Sequence, residues 1–135
     1  MLPRIDESTW PIVSIEYGEE ITFDEIAQLG EALQRIFRKR GPMVTLADIG
    51  ALSAAATTAL HRKRIAEESD KLAAMGAFLA EAVIVPNPVL RAIYVGYTWA
   101  RHRKGYPSQA FPSPAPALVW AREQAGTARR TKGKP

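Results

Sequence analysis

The stretch Met43–Met75, MVTLADIGALSAAATTALHRKRIAEESDKLAAM, predicts a buried strand, a sharp turn and a helix, in that order. Met43–Ile49 is almost continuously apolar, which is typical of a strand covered on both faces. The turn falls at residues 48–50. Ser53 is expected to cap the following helix, with Thr57 as a later candidate start. A strand that leads directly into a helix is the unit of parallel sheets, so this stretch favours an α/β fold.

The chain before this stretch follows the same pattern. Trp10–Tyr17 is interpreted as a strand, with Leu2–Ile5 as a short antiparallel edge strand before it. Thr22 and Glu25 have the spacing of a capping box and predict the start of a helix. Gly41 is expected to end that helix.

The alternation also continues after the stretch. Phe78–Val85 predicts a strand, and Asn87 is expected to cap a helix over Val89–Lys104. Ser108–Phe111 predicts a short edge strand, and a last helix is expected from Ser113 onwards. The order β-α-β-α-β-α-β-α predicts a mostly parallel sheet of four to five strands with about four helices.

Composition limits the class of protein. The chain has 135 residues, enough for one domain with a single core, and 47% of them are hydrophobic. No apolar run reaches the ~18 residues of a membrane span. The N-terminus lacks the apolar segment of a signal peptide. The sequence has no cysteine, which excludes thiol chemistry and disulfides. We therefore expect a cytoplasmic protein.

The basic residues are concentrated at the end of the chain. Gly126–Pro135 carries four lysines and arginines and no acid, and the net charge of the whole chain is also +4, so residues 1–125 sum to zero. We therefore expect a neutral folded domain over residues 1–125 and a disordered basic tail over residues 126–135. Nucleic acid is not an expected partner.

The sequence contains no recognisable pattern of a catalytic or metal site. The sequence has no glycine-rich phosphate loop, GxSxG elbow or HExxH pattern, so no catalytic residue is assigned. His61 and His102 are separated by a helix and a strand, and no metal site is predicted. Asp48 is interpreted as accepting backbone N–H groups of the following turn. Glu81 is expected either at an exposed position or paired with a basic side chain of a neighbouring helix.

The strand, turn and helix resemble those of the STAS family, the anti-sigma-factor-antagonist-like domains. The strand ends in Leu46-Ala47-Asp48-Ile49, where the family has an Asp-Leu-Ser type turn. Ala56-Thr57-Thr58-Ala59-Leu60 stands where the family begins a helix with Asp-Ser-Ser-Gly-Leu. The later landmarks, which are similar to a SpoIIAA-like branch, are Ala82–Pro86, Leu90-Arg91, Trp99, Phe111 and Ala117–Trp120. The resemblance runs from Trp10 to Ala121.

The resemblance implies a SpoIIAA-like single domain of the α/β class that uses no cofactor, is not an enzyme and acts through protein partners. In the family, a serine at this helix start is phosphorylated by a partner kinase. The corresponding phosphorylation candidates are Thr58, Thr57 and Ser53. The partner, a kinase-like or other signalling protein, would contact Asp48, Gly50, His61, Arg62 and Lys63. Ala56 and Ala59 replace the family's Asp and Gly, so a module that binds partners without a phosphoswitch fits as well.

A second hypothesis is a small-molecule or lipid-binding module. Helix 89–104 is apolar on most of its circumference, so it is either buried or carries a contact surface. An apolar pocket beside it would be lined by Tyr94, Tyr97, Trp99 and Arg91. The same helix could also form a homodimer contact. An enzymatic function is the third hypothesis, after the partner-binding and ligand-binding modules.

Overall fold

The computed structural model describes residues 2–53, 55–103 and 105–132, with the backbone alone at residues 93, 96–98, 100–103 and 129–132. The elements in chain order are β1 (Arg4–Thr9), β2 (Ile12–Glu16), α1 (Phe23–Arg40), β3 (Met43–Asp48), α2 (Ala59–Ala74), β4 (Phe78–Ile84), α3 (Pro88–Arg103), β5 (Ser108–Phe111) and α4 (Pro114–Lys132). The predicted alternation is present, with the extra edge strand at its start.

The strands form one sheet in the order β1-β2-β3-β4-β5. β1 is antiparallel to β2, and every other neighbouring pair is parallel. The prediction of a mostly parallel α/β sheet is therefore confirmed. The edge strand expected at Leu2–Ile5 lies at Arg4–Thr9 instead, where Arg4 pairs with Glu16. Pro3 has no backbone N–H for the ladder, so the strand begins after it.

The two faces of the sheet are covered by different helices. Val13, Ile15 and Met43 share one buried cluster with the apolar stripe of α1 and with Leu72 of α2. The opposite face is built from smaller side chains, with Ala80 and Ala82 of β4 packed with the alanines of α4. Side chains alternate between the faces of a strand, which explains why neighbouring residues belong to different clusters. Fully burying a leucine such as Leu72 contributes roughly 1.5–3 kcal/mol.

The last helix continues past Gly126, where the sequence predicted the ordered domain to end. α4 runs to Lys132, and Ala117, Ala121 and Ala125 are its buried residues in the core. Ala128 lies beside Trp10 and shares a surface hollow with it. The extent of the domain and of the basic tail stays a prediction, and residues 133–135 lie outside the described residues.

The helix starts are fixed by side-chain caps. Thr22 Oγ1 accepts from the backbone N–H of Glu25 at 3.1 Å, and Glu25 Oε1 accepts from the N–H of Thr22 at 2.9 Å, so the predicted capping box is present. Asn87 Oδ1 caps α3, as expected, by accepting from the N–H of Val89 at 2.9 Å.

The start of α2 differs from the prediction. Its cap is Thr58, not Ser53 or Thr57. Ser53 stabilises a separate turn, in which its hydroxyl accepts from the N–H of Ala56 at 3.3 Å and its carbonyl accepts from the Thr57 hydroxyl at 2.8 Å. Short hydroxyl side chains bond local backbone in turns as readily as at helix starts, so the first candidate in the sequence was not the cap.

Candidate functional site

The loops that follow β2, β3 and β4 meet at the carboxyl-terminal edge of the sheet. Backbone hydrogen bonds join them: the N–H of Tyr17 donates to Asp48 O at 3.0 Å, and the N–H of Ile49 donates to Ile84 O at 3.2 Å. The N–H of Ser53 donates to Glu19 O at 2.9 Å. Binding sites of open α/β sheets lie at this edge, so it is the first place to look for function.

Asp48 and Gly50 form the turn at this edge. Asp48 Oδ1 accepts from the N–H of Gly50 at 2.9 Å, which is the backbone role that the sequence indicated for this carboxylate. A Cβ at Gly50 would lie 3.0 Å from Asp48 Oδ1 and 3.2 Å from the ring of Pro86. A side chain at this position would therefore require Asp48 or Pro86 to shift by a few tenths of an ångström, although Gly50 itself is exposed.

The N-terminus of α2 carries a second reciprocal cap. Thr58 Oγ1 accepts from the N–H of His61 at 3.3 Å, and His61 Nδ1 accepts from the N–H of Thr58 at 3.2 Å. Thr58 is exposed, whereas Thr57 is buried, with 8% of its surface accessible. Of the two threonines, only Thr58 presents a side chain to solvent.

The basic residues of the first turns of α2 have separate roles. Arg62 Nη1 donates to the carbonyl of Thr57 at 3.1 Å, which ties the helix to the turn before it. The Arg64 guanidinium lies 5.9 Å from the ring centroid of Phe23. Lys63 is exposed. The residues that the sequence assigned to a partner surface therefore lie on two segments, with Asp48 and Gly50 in the turn after β3 and His61, Arg62 and Lys63 on the first turns of α2.

Phe23 is a surface residue that sequence reasoning missed. Its ring stacks on His61 with centroids 4.4 Å apart and planes at 24°, and 43% of its surface is exposed. Leu60 is also exposed, at 46%. The sequence signal was an aromatic residue at the first position of α1, ahead of the buried stripe. The name α2 edge is used below for Phe23, Thr58, Leu60, His61 and Arg64.

A cavity of about 280 Å³ lies between the sheet and helices α2 and α3. Its lining is mostly apolar and comprises Tyr17, Ala47, Ile49, Leu52, Arg62, Ile65, Ala66, Glu81, Val83 and Tyr94. A smaller space of about 120 Å³ adjoins it towards Ser53 and Thr57 and shares Ile49, Leu52, Arg62 and Tyr94 with it. Cavities of this kind at the carboxyl edge of a sheet are typical of small-ligand sites.

Two polar groups of the cavity have opposite charges. Glu81 is buried, with 9% of its surface exposed, so the expectation that it occupies an exposed position is wrong. Its β4 position places the side chain on the α1 and α2 face, where Arg62 lines the same cavity. Burial raises the pKa of the Tyr94 phenol, Arg62 opposes this shift and Glu81 reinforces it.

Arg91 and Trp99, two of the other pocket candidates, are not in the lining of this cavity. Arg91 Nη1 donates to the carbonyls of Val85 and Pro86, each at 3.2 Å, and so holds the start of α3 against the end of β4. Trp99 is 65% exposed. The side chain of Tyr97 lies outside the described residues. Tyr94 is therefore the pocket candidate that the structure places in the cavity lining.

Within the described ranges, no group of three or more histidines, aspartates or glutamates is placed to hold a metal ion. Across the same residues, no helix is both long enough and apolar enough to cross a membrane.

No model of a known protein family matches the chain, and no curated protein matches it. Among solved structures, it is similar to an uncharacterized protein of the DUF3478 family with a SpoIIAA-like fold, from Shewanella loihica PV-4. The two share 18% identity with a TM-score of 0.60, over 88% of this chain and 91% of that one. The chain therefore has a SpoIIAA-like fold, as the resemblance to STAS domains predicted.

Proposed function

We propose that this chain is a non-enzymatic regulatory or scaffolding module that acts by protein–protein interaction through the α2 edge. The observation that carries the proposal is the exposure of Phe23 at 43%, with its ring stacked on His61 and 5.9 Å from the Arg64 guanidinium, and of Leu60, which precedes His61 in α2, at 46%. Large apolar side chains exposed together are typical of contact surfaces, and aromatic and arginine residues are enriched there. The fold supports the same class of function by resemblance.

The charges of this surface indicate the chemistry of the partner. Arg62, Lys63 and Arg64 follow each other on the exposed start of α2. The N-termini of α1 and α2 both lie here, and helix N-termini favour negative charge. The partner segment that fits is therefore acidic, with apolar side chains that cover Phe23 and Leu60. This module would work in the cytoplasm, as the sequence predicts.

A phosphoswitch at this surface would use Thr58. Its side chain is exposed at the helix start, whereas the Thr57 hydroxyl is buried and bonded to Ser53 O. A phosphate adds about −1.5 to −2 charge at neutral pH. Beside Arg62, Lys63 and Arg64 it would offset most of the positive charge of the surface without entering the core, and an acidic partner would be released.

The test compares partner capture by variants of the native protein. Leu60→Ala and Phe23→Ala remove the exposed apolar groups, and Val119→Ala serves as the matched control because Val119 is 56% exposed on α4. We expect a partner that is retained by the wild type and Val119→Ala and lost by the other two. Equal capture by all four proteins would sink the proposal.

The switch is tested separately. The tryptic peptide that ends at Arg62 is examined by mass spectrometry after purification from the native host, and capture is compared for Thr58→Ala and Thr58→Glu. We expect phosphate on Thr58 and release of the partner by Thr58→Glu. If no growth phase shows phosphate and capture is equal, the module is constitutive.

A second candidate function is the binding of a small molecule, and the cavity of about 280 Å³ favours it. Ala66→Phe would fill this cavity, because Ala66 lines it, while Ala74→Phe places the same ring on the exposed side of α2. Native mass spectrometry of protein from the host is expected to show a bound molecule in the wild type and in Ala74→Phe only. A molecule that Ala66→Phe retains would lie outside the cavity and contradict this function.

A further inference from the structure

A buried carboxylate lies in the wall of the cavity formed by the sheet. Glu81 occupies the middle of β4, where it pairs in register with Thr45 of β3 and Ser108 of β5. The Ser108 hydroxyl lies 3.5 Å from Glu81 Oε2, a long hydrogen bond. An ionised carboxylate accepts up to about four hydrogen bonds, so Glu81 can receive a ligand donor in addition to its protein contacts.

The solvent end of the cavity carries the opposite charge. Arg62 is exposed, and its guanidinium is held by the carbonyl of Thr57 at 3.1 Å. Both charges act on the Tyr94 phenol, because Arg62 lowers its pKa and Glu81 raises it. The cavity is therefore polar at both ends, with the Glu81 carboxylate at its buried end and the Arg62 guanidinium at its solvent end.

Apolar side chains line the space between these ends. Ile49, Leu52, Ile65 and Val83 are the aliphatic members of the lining. The volume of about 280 Å³ is nearly twice that of the engineered cavity of roughly 150 Å³ that takes up benzene. One aromatic ring with a short chain, or a body of similar size, matches this space.

We propose that the cavity binds a small apolar amine, with the ammonium group on Glu81 and the apolar body against Ile65 and Val83. The inference rests on the second candidate function and adds the class of ligand to it. A hydrogen bond in which the acceptor is ionised is stronger than a neutral one, so the carboxylate selects a cation. An anionic group at the same place would be repelled and poorly solvated.

The test uses three probes with one common body: phenylbutylamine, phenylbutanol and phenylbutyrate. Affinities are measured by calorimetry on the full chain, and methyl chemical shifts of Ile65 and Val83 report whether binding is in the cavity. We expect the amine to bind most tightly and phenylbutyrate least, with a difference of about tenfold or more, the size expected of a hydrogen bond to a charged group.

Two glutamate variants separate the carboxylate from the fold. Glu81→Gln keeps the shape but removes the charge, and it is expected to reduce amine affinity about tenfold while leaving phenylbutanol nearly unchanged. Glu68→Gln is the matched control, because Glu68 lies on α2 outside the lining of this cavity and bridges Lys71 at 3.2 Å. It is expected to leave all three affinities unchanged.

The outcomes distinguish the ligand class from the site. If phenylbutyrate binds most tightly in the cavity, and Glu81→Gln does not change the order of the three affinities, the proposal of an amine ligand is overturned. The binding of a small molecule in the cavity would still stand. Failure of all three probes to shift the methyl signals would overturn both. Unfolding curves of Glu81→Gln that match the wild type show that any loss of affinity is local.

Discussion

Thr58 and His61 hold the first turn of α2 together, with Thr58 Oγ1 2.8 Å from His61 Nδ1. Thr22 and Glu25 have the same spacing and the same reciprocal bonds at the start of α1. The acceptor at α1 is a carboxylate, which the helix dipole favours, whereas an imidazole nitrogen takes its place at α2. The two helices thus begin at one edge of the sheet with the same geometry and different electrostatics.

Replacing the cap of α2 is expected to destabilise the domain. Thr58→Ala removes the hydroxyl that accepts from His61 N–H, and loss of such a cap costs about 0.5–2 kcal/mol. Thr58→Ser keeps the hydroxyl and is expected to match the wild type. Urea unfolding measures both. Equal midpoints for the alanine and serine variants would show that the cap contributes little.

The electrostatic difference between the two helix starts can be measured at His61. His61→Gln and His61→Glu both retain a side chain that can complete a capping box, and both lose the stack on Phe23. The glutamate variant is expected to be more stable than the glutamine variant by about 0.3–1 kcal/mol, because its charge lies on the helix N-terminus beside Arg62 and Arg64.

Salt provides the control for this prediction. At 1 M salt the Debye length falls to about 3 Å, so the difference between the two variants in the free energy of unfolding should nearly vanish. A difference that persists in high salt would mean that packing, not charge, distinguishes the two side chains.

Two leucines of α2 that differ in burial are expected to behave differently. Leu72 is 2% exposed and packs in the cluster under α1, so Leu72→Ala should cost about 2–5 kcal/mol through lost burial and a cavity. Leu60 is 46% exposed, and Leu60→Ala should stay within about 0.5 kcal/mol of the wild type. Similar losses for both, in the same unfolding experiment, would contradict the position of α2 on the sheet.

The fold could be predicted because local signals agreed with one another. The apolar run of β3, the capping box at Thr22 and the Asn87 cap each depend on a few neighbouring residues. The start of α2 was missed because the local signals there compete with one another. Ser53, Thr57 and Thr58 all have hydroxyls that can cap a turn or a helix. In the structure the N–H of Ser53 donates to Glu19 O, in a loop that is distant in sequence, and Thr58 is the residue that caps the helix.

The sequence predicted an apolar pocket beside the helix 89–104, but the size and most of the lining of the cavity could not be predicted, because they depend on how far α2 and α3 stand from the sheet. The sequence indicated that Glu81 interrupts an apolar strand, but it gave no measure of the space beside it. Tyr94 was found as a pocket residue because it lies on the apolar helix, whereas Tyr17 and Arg62 come from distant parts of the chain. Spatial proximity of this kind has no pattern in one sequence.

Ionisation of Tyr94 is expected to make the domain less stable as the pH rises above 10. Burial raises the pKa of its phenol above the ordinary value of 10.0, so the folded protein holds the proton more tightly than the unfolded chain. The resulting stability is fully present below pH 10 and is lost as the pH rises through the raised value. Tyr94→Phe cannot ionise and should lose less stability over this range.

The measurement compares the free energy of unfolding of the wild type and Tyr94→Phe at neutral pH and above pH 10, since other tyrosines and lysines titrate equally in both proteins. As the pH rises above 10, the free energy of unfolding of the wild type should fall more than that of Tyr94→Phe. A difference that is constant with pH would show that the Tyr94 phenol is as well solvated in the folded protein as in the unfolded chain, and the cavity would then be open to water at its α3 side.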